Sequence, residues 1–391
     1  MDSQLDSWKS RIAPTYVQPE IELVRGQGTR VFDTNGKMYL DFLSGIAVNA
    51  LGHAHPAVIE AVTKQLSQLG HVSNLVGNPV ATKLAEKLLD ILDMPNGRIF
   101  FCNSGAEANE AAFKYARAHK SGSKMVSLLN GFHGRTTAAL SVTGQEEKRK
   151  QFEPLLTGVS FLKVNEIPRI KRNINRKVGG VWIEMIQGEA GVVPLSRNFV
   201  EAIAHRTKEV DALLIIDEVQ TGIGRTGKWF AYQEFDLKPD LVPLAKGLGG
   251  GLPIGALGIS ESSIDLVKAG GHGTTFGGNP VTAAAALAVI NTIEQDDLLS
   301  NALNMGKLIK DNLQLGSNVL EIRGSGLLLG IVLASNLAKE IEKVALQMGL
   351  IVNAVRPNVI RLAPPLNVSR EETISAIDIL SQAIEKVGSN G

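Results

Sequence analysis

Ala212-Leu213-Leu214-Ile215-Ile216-Asp217 is a short, unbroken apolar run that stops at a carboxylate. A run without polar alternation predicts a strand buried on both faces of a sheet. The figure recurs on either side. Upstream, Val181-Trp182-Ile183 stops at Glu184; downstream, Val242-Pro243-Leu244-Ala245 stops at Lys246. The three charged residues lie 33 and 29 positions apart, close to one strand–helix–strand unit each. Further compact apolar runs at 98–102, 125–129, 159–164 and 178–183 are spaced by helical segments such as 106–120. This alternation predicts an α/β fold whose large domain has a mostly parallel sheet. Right-handed crossovers then bring the C-terminal strand ends to one edge, where open α/β sheets bind ligands.

Outside this region the pattern changes. Before residue 60 the chain reads as strands at 21–24, 30–33 and 38–42, with an Asn35-Gly36 hairpin turn, and then a helix at 56–69. Asn279-Pro280 opens a helix, with Asn as cap and Pro at the first helical position. Beyond it, helices at 296–314, 335–348 and 370–387 mix with strands near 319–323, 327–333 and 358–362, a smaller α+β unit. The expected division is 1–60 as a segment joining the small domain, 61–295 as the large domain and 296–391 as the C-terminal small domain.

Composition narrows the function. In 391 residues, 40 Lys+Arg stand against 39 Asp+Glu, so the net charge of +1 leaves no basic excess for a nucleic-acid backbone. An apolar share of 44% excludes a disordered chain. The single Cys102 cannot form an internal disulfide, and residues 1–10 carry Asp2 and Asp6 with no apolar core, unlike a signal peptide. The longest apolar stretch, 281–290, is about half a membrane span. A soluble, cytoplasmic protein without membrane or nucleic-acid partners is expected. The histidines lack companions at metal-ligand spacing, so no metal is expected either.

Glu184, Asp217 and Lys246 together suggest carboxylates and an amine at a low-dielectric rim; an ion pair capping the sheet is the competing reading. Ser104-Gly105-Ala106-Glu107 follows a strand and opens a helix. It reads as a capping box, with free N–H groups that favour a phosphate, though many helices begin this way with nothing bound. Gly222-Ile223-Gly224-Arg225-Thr226-Gly227 fits G-x-G-x-x-G, but Asp217 to Gln220 intervene between the strand and the loop, and no strong helix follows it. As a P-loop it fails at Trp229, where a hydroxyl is needed. A non-catalytic nucleotide-binding module built on this loop is the reading from another class.

Several runs together resemble the class-III (ω-)aminotransferases of pyridoxal-phosphate fold type I. They are Gly45-Ile46-Ala47-Val48-Asn49 with Gly52-His53-Ala54-His55-Pro56, Asn103-Ser104-Gly105-Ala106-Glu107-Ala108-Asn109-Glu110, and Gly131-Phe132-His133-Gly134-Arg135-Thr136. Ile186-Gln187-Gly188-Glu189, Asp217-Glu218-Val219-Gln220-Thr221-Gly222, Ala245-Lys246-Gly247, Thr274-Thr275-Phe276-Gly277-Gly278-Asn279-Pro280 and Arg361-Leu362-Ala363-Pro364-Pro365 complete the ordered set, which spans nearly the whole chain.

The resemblance implies pyridoxal 5'-phosphate as cofactor and transfer of the ω-amine of N2-acetyl-L-ornithine to 2-oxoglutarate, a step of arginine biosynthesis. Succinyl-diaminopimelate, acyl-lysine, ornithine and 4-aminobutyrate are the alternative amines. It implies that Lys246 holds the cofactor and moves the proton, that Asp217 pairs with the ring nitrogen, and that Gln220 bonds the ring hydroxyl. Phe132 is expected to stack on the ring, and Ser104, Gly105, Ala106, Glu218 and Val219 belong to the same cofactor site. Thr275 is expected at the phosphate of the other subunit of a homodimer with shared sites. On the substrate side, Arg135 and Arg361 are expected to fork onto carboxylates, with Glu189 pairing Arg361 when the reacting end carries none. Thr274 and Tyr16 are expected at the substrate's far end. Two positions depart from the family: Met185 stands where many members have proline, and Ile46 where ornithine-specific members have Tyr.

Overall fold

The computed structural model describes residues 4–313 and 318–388. Its largest sheet has seven strands: β1 (Arg98–Cys102), β2 (Lys124–Leu128), β3 (Val159–Leu162), β4 (Val178–Ile183), β5 (Leu213–Ile216), β6 (Leu241–Leu244) and β7 (Gly255–Ile259). Their order across the sheet is β1-β7-β6-β5-β4-β2-β3. All pairings are parallel except those of β7, which runs antiparallel to both β1 and β6. The reversed strand is absent from the sequence reading because Gly255 and Gly258 dilute its apolar signal. Gly255 is required by close packing: a Cβ there would stand 2.5 Å from the Ser104 carbonyl oxygen.

β4, β5 and β6 are buried at every residue, as expected of strands covered by helices on both faces. The helix Gly105–His119 lies over β6 and β7, and Pro280–Gln295 packs on Pro56–Gln68 and Pro79–Ile91. As the Asn-Pro pair predicts, the Asn279 side chain accepts from Val281 N (2.9 Å) and Thr282 N (3.2 Å).

The N-terminal strands Leu23–Gln27, Arg30–Asp33 and Met38–Asp41 form an antiparallel meander whose Asn35-Gly36 turn has Gly36 at φ +81°. Met38–Asp41 continues into parallel pairing with Leu350–Ile351, tying the start of the chain to its last quarter. A second four-stranded sheet, ordered Val319–Ser325, Leu328–Leu333, Val359–Leu362, Asn353–Arg356, carries Arg361 opposite Gly330. No helix among the described residues is long and apolar enough to cross a membrane.

Candidate active site

Register brings the charged strand ends together. Ile183 pairs with Ile216, so Glu184 and Asp217 leave adjacent strands side by side. The backbone confirms the alignment: Asp217 N donates to Ile183 O (2.9 Å) and Glu218 N to Pro243 O (3.0 Å). Together with Lys246, at the end of β6, they line a cavity of about 460 Å³ that also takes in Gly105, Ala106, Phe132, Arg135, Glu189 and Gln220. Lys246 holds φ +46°, a strained value for a side-chain-bearing residue. Burial pushes its amine down to about 8, with the Arg361 charge in the same direction and Glu189, Asp217 and Glu184 opposing.

Asp217 is held from three sides. Its Oδ1 accepts from Val219 N (3.0 Å); its Oδ2 accepts from Asn109 Nδ2 (2.8 Å) and lies 2.7 Å from His133 Nδ1. His133 is itself buried. Burial opposes its charge, but the hydrogen bond to Asp217 and the charges of Asp217 and Glu184 prevail and raise its pKa. Glu184 is pushed up to about 7, mainly by burial, and its Oε2 accepts from Phe132 N (3.0 Å).

The first turn of Gly105–His119 opens onto the same cavity. Its leading N–H groups have no partner one turn back in the helix. Ser104 Oγ accepts from Glu107 N (3.2 Å), as a cap should. The reciprocal half differs from the expected capping box: Glu107 Oε2 accepts from Asn103 N (2.5 Å) and Nδ2 (2.9 Å), one residue earlier, and so fixes the strand-to-helix corner. A Cβ on Gly105 would come within 2.7 Å of Val219 Cγ1, so the glycine lets the loop after Asp217 seat against the helix start.

Arg361 is buried. Its Nη1 meets Glu189 Oε1 at 2.6 Å and Gln220 Oε1 at 3.3 Å, and its Nη2 donates to Asn353 Oδ1 (2.8 Å). Among the described residues its Nε finds no acceptor. Burial works against the Glu189 charge, yet Arg361, with Lys246 and Lys148 further off, holds that carboxyl below its ordinary range. Arg135 stands at the rim, exposed, with its guanidinium 5.7 Å from the Phe132 ring.

Other expected residues lie elsewhere. The Glu218 carboxylate points away from the cavity, accepting from Thr221 Oγ1 (2.5 Å) and Tyr232 N (2.9 Å) in the core. Thr274 touches the site's edge, its Oγ1 accepting from Asn103 Nδ2 (3.1 Å). Thr275 and Tyr16 are exposed and do not line the cavity of their own chain. The 222–227 loop serves the fold: Arg225, buried, donates to the carbonyls of Leu327 and Pro364, and Leu327 N donates to Arg225 O. Sequence reading saw Asn109 and His133 only as parts of motifs and missed Asn353; none was expected as a partner of Asp217 or Arg361. Asn109 carries a further signal, as an amide on an alanine-rich core face.

A lysine of lowered pKa, a carboxylate fixed among donors and the Glu189 carboxylate that covers Arg361 line one pocket, a set suited to amino-group chemistry. Residues 12–384 match the family "Aminotransferase class-III", and the chain belongs to that family. It is similar to the acetylornithine aminotransferases of Corynebacterium efficiens (43% identical over 99% of this chain and 98% of the relative) and Streptomyces coelicolor (45%, over 99% and 97%). Among solved structures it is similar to the ornithine aminotransferase of Toxoplasma gondii, with a TM-score of 0.95 at 28% identity, over 99% of this chain and 96% of that one. Another structure of that parasite enzyme carries PLP at partial occupancy in its active site.

Proposed function

We propose that this chain is a cytoplasmic, pyridoxal-phosphate-dependent transaminase. It converts N2-acetyl-L-ornithine and 2-oxoglutarate to N-acetyl-L-glutamate 5-semialdehyde and L-glutamate. The observation that carries the substrate reading is that Arg361, whose charge acts on Lys246, is covered by Glu189 and keeps one buried donor, Nε, unmatched among the described residues. An arginine that can be covered or bared suits a pocket that takes two reacting ends, one with a carboxylate and one without. The curated relatives at 43% and 45% identity support the same choice.

The residues fit the cofactor. Lys246 offers an amine pushed down to about 8, so a useful fraction is unprotonated near neutrality. The start of Gly105–His119 offers N–H groups for the phosphate, and the missing Cβ of Gly105 keeps that corner compact. Asp217 would face the ring nitrogen, Gln220 the ring hydroxyl, and Phe132 the ring itself. Bound there, pyridoxal phosphate supplies the carbonyl that receives the amino group and a ring that draws electrons from the substrate carbon.

The chain's own groups do the rest. Lys246 Nζ would take and hold the proton from the carbon bearing the ω-amine, a role that requires a neutral amine in a site poor in water. Asp217, fixed in place by Val219 N, Asn109 Nδ2 and His133 Nδ1, would face the ring nitrogen and favour a proton there. Arg135 holds the α-carboxylate of acetylornithine or the distal one of glutamate. Glu189 neutralises Arg361 for the first substrate and leaves it for the second, whose α-carboxylate takes the guanidinium as a fork. Thr275, outside the lining of its own cavity, serves the phosphate of a second copy in a homodimer, and Tyr16 and Thr274 meet the acylated end of the substrate. Comparing kcat/KM across acetylornithine, succinyl-diaminopimelate, an acyl-lysine, ornithine and 4-aminobutyrate tests the reading. Acetylornithine is expected to lead; a preference for free ornithine or 4-aminobutyrate would reassign the substrate.

A further inference from the structure

Trp182 lies in the middle of the large sheet, fully buried, and its indole nitrogen can only donate. Nε1 lies 3.1 Å from Asn109 Oδ1. The other end of that amide, Nδ2, faces three acceptors: Asp217 Oδ2 at 2.8 Å, His133 O at 3.0 Å and Gly105 O at 3.1 Å. Turning the amide over would set an oxygen against three oxygens and an N–H against an N–H. Its orientation is therefore dictated by chemistry, and Trp182 supplies the donor that completes the match. Asn109 has no contact with solvent that could substitute for any of these partners.

Such a fixed amide constrains Asp217. With Asn109 Nδ2 and His133 Nδ1 both at Oδ2 and Val219 N donating to Oδ1, the acceptor site left on Asp217 is on Oδ1, and that fixes how a donor in the cavity must approach it. We propose that Asn109, oriented by Trp182, is a positioning residue that keeps the Asp217 carboxylate aimed at the cavity, and so sets how tightly the cofactor's ring nitrogen is held. The proposal rests on the reading of Asp217 as the partner of that nitrogen. The same amide bonds Gly105 O, in the first turn of the helix whose N–H groups would take the phosphate, so one side chain ties both ends of the cofactor site together. The titratable groups that interact with Asp217 are His133, Glu184, Glu218 and Lys246.

Asn109→Asp tests this with almost no change of volume. The new carboxylate keeps Trp182 as a donor but turns its second oxygen toward Asp217, and two carboxylates at that distance must share a proton. Cofactor affinity of the apoprotein, measured by titration with pyridoxal phosphate, should fall about 10- to 100-fold, the range usual when an outer hydrogen-bond partner is lost. Thermal stability of the apoprotein should also acquire a pH slope. The shared proton has a raised pKa in the folded state, so its stabilisation is present at low pH and lost as pH rises through that value. A packing defect alone would lower the melting temperature by the same amount at every pH. kcat should fall with KM for acetylornithine little changed.

Asp217→Asn separates this proposal from the reading beneath it. If that variant binds cofactor and turns over normally, the ring-nitrogen assignment and the proposal fall together. If it is impaired while Asn109→Asp keeps parental affinity and a parental pH dependence of melting, the positioning role alone is overturned. Should Asn109→Asp not fold, Trp182→Phe removes the orienting N–H; weaker cofactor binding supports the proposal and unchanged binding overturns it.

Discussion

Lys246 illustrates how much one position depends on its surroundings. Its strained φ of +46° and its burial are both unfavourable, and both put the amine at the meeting point of Glu189, Arg361, Asp217 and Glu184. Lys246→Ala should keep the fold and lose turnover by at least about four orders of magnitude, the upper end of what positioned proton transfer alone contributes. Borohydride reduction of the loaded native enzyme should attach the cofactor to Lys246, and mapping it to another lysine would overturn the site. The lowered pKa also predicts a stability slope. Between about 8, where the folded amine titrates, and the ordinary value of 10.5, the unfolded chain binds more protons than the folded one. Lys246 should therefore contribute stability that grows with pH across that window, read as the difference in melting between the native apoprotein and a variant without the amine. Lys246→Met should melt without this rise. Glu189 gives a second residue-scale expectation. Glu189→Ala leaves Arg361 bare, so single-turnover rates with glutamate should hold or improve while those with acetylornithine fall. An uncompensated, mostly buried cation also costs on the order of a few kcal/mol, visible as a lower melting temperature. Equal slowing of both half-reactions would make Glu189 structural.

At the scale of elements, the helix Gly105–His119 and the loop after β5 meet at the Gly105–Val219 contact. Ala is the better helix former, so Gly105→Ala on an open helix would stabilise by about 0.5–1 kcal/mol. Here the new Cβ would stand 2.7 Å from one branch of Val219 and 2.9 Å from the other, and a β-branched side chain cannot swing clear. Overpacking should prevail, costing about 1–3 kcal/mol and moving the loop that carries Asp217. Gly105→Ala is expected to lower both melting temperature and cofactor affinity, and Val219→Ala in the same chain should restore much of each. Additive effects in the double variant would show that the contact is not what limits the corner. Elements of this kind were the most legible part of the sequence. β4 stands at the boundaries its apolar run implies, because a strand covered on both faces must be apolar at every position; β1, an edge strand that opens on the exposed Arg98, stands where its run of four apolar residues places it. β7 was not legible, since its two glycines answer to neighbouring chain rather than to the strand. The charged strand ends could be read from spacing, but the partners of Asp217 could not. Asn109 and His133 lie 108 and 84 residues away from it in the chain, and only the closed sheet brings them within hydrogen-bond distance.

Across the whole molecule, one feature of the single chain remains unmatched by its own cavity. Thr275 and Phe276 are exposed, as are Tyr16, Val17, Leu75 and Val76, and Phe276 and Leu75 are 59% and 93% accessible. Large apolar side chains left open in this way mark a surface that another protein covers. In the proposed homodimer that cover is a second copy, and Thr275 then belongs to the neighbouring site. Two defective variants can test the arrangement. Lys246→Ala removes the lysine of a site, and Thr275→Glu sets a carboxylate against the expected phosphate. Each homodimer should be inactive or nearly so. In a hybrid dimer with shared sites, one pocket collects both defects and the other collects neither, drawing Lys246 from one chain and Thr275 from its partner. Co-expression at equal levels gives hybrids as about half of all dimers, each with one working site of two, so about a quarter of native activity should return. If Thr275 served the cavity of its own chain, every pocket in the hybrid would keep one defect and no activity would return. Isolating the hybrid with two different affinity tags makes the outcome independent of expression levels: half of native kcat per dimer with an unchanged KM supports shared sites, and none refutes them.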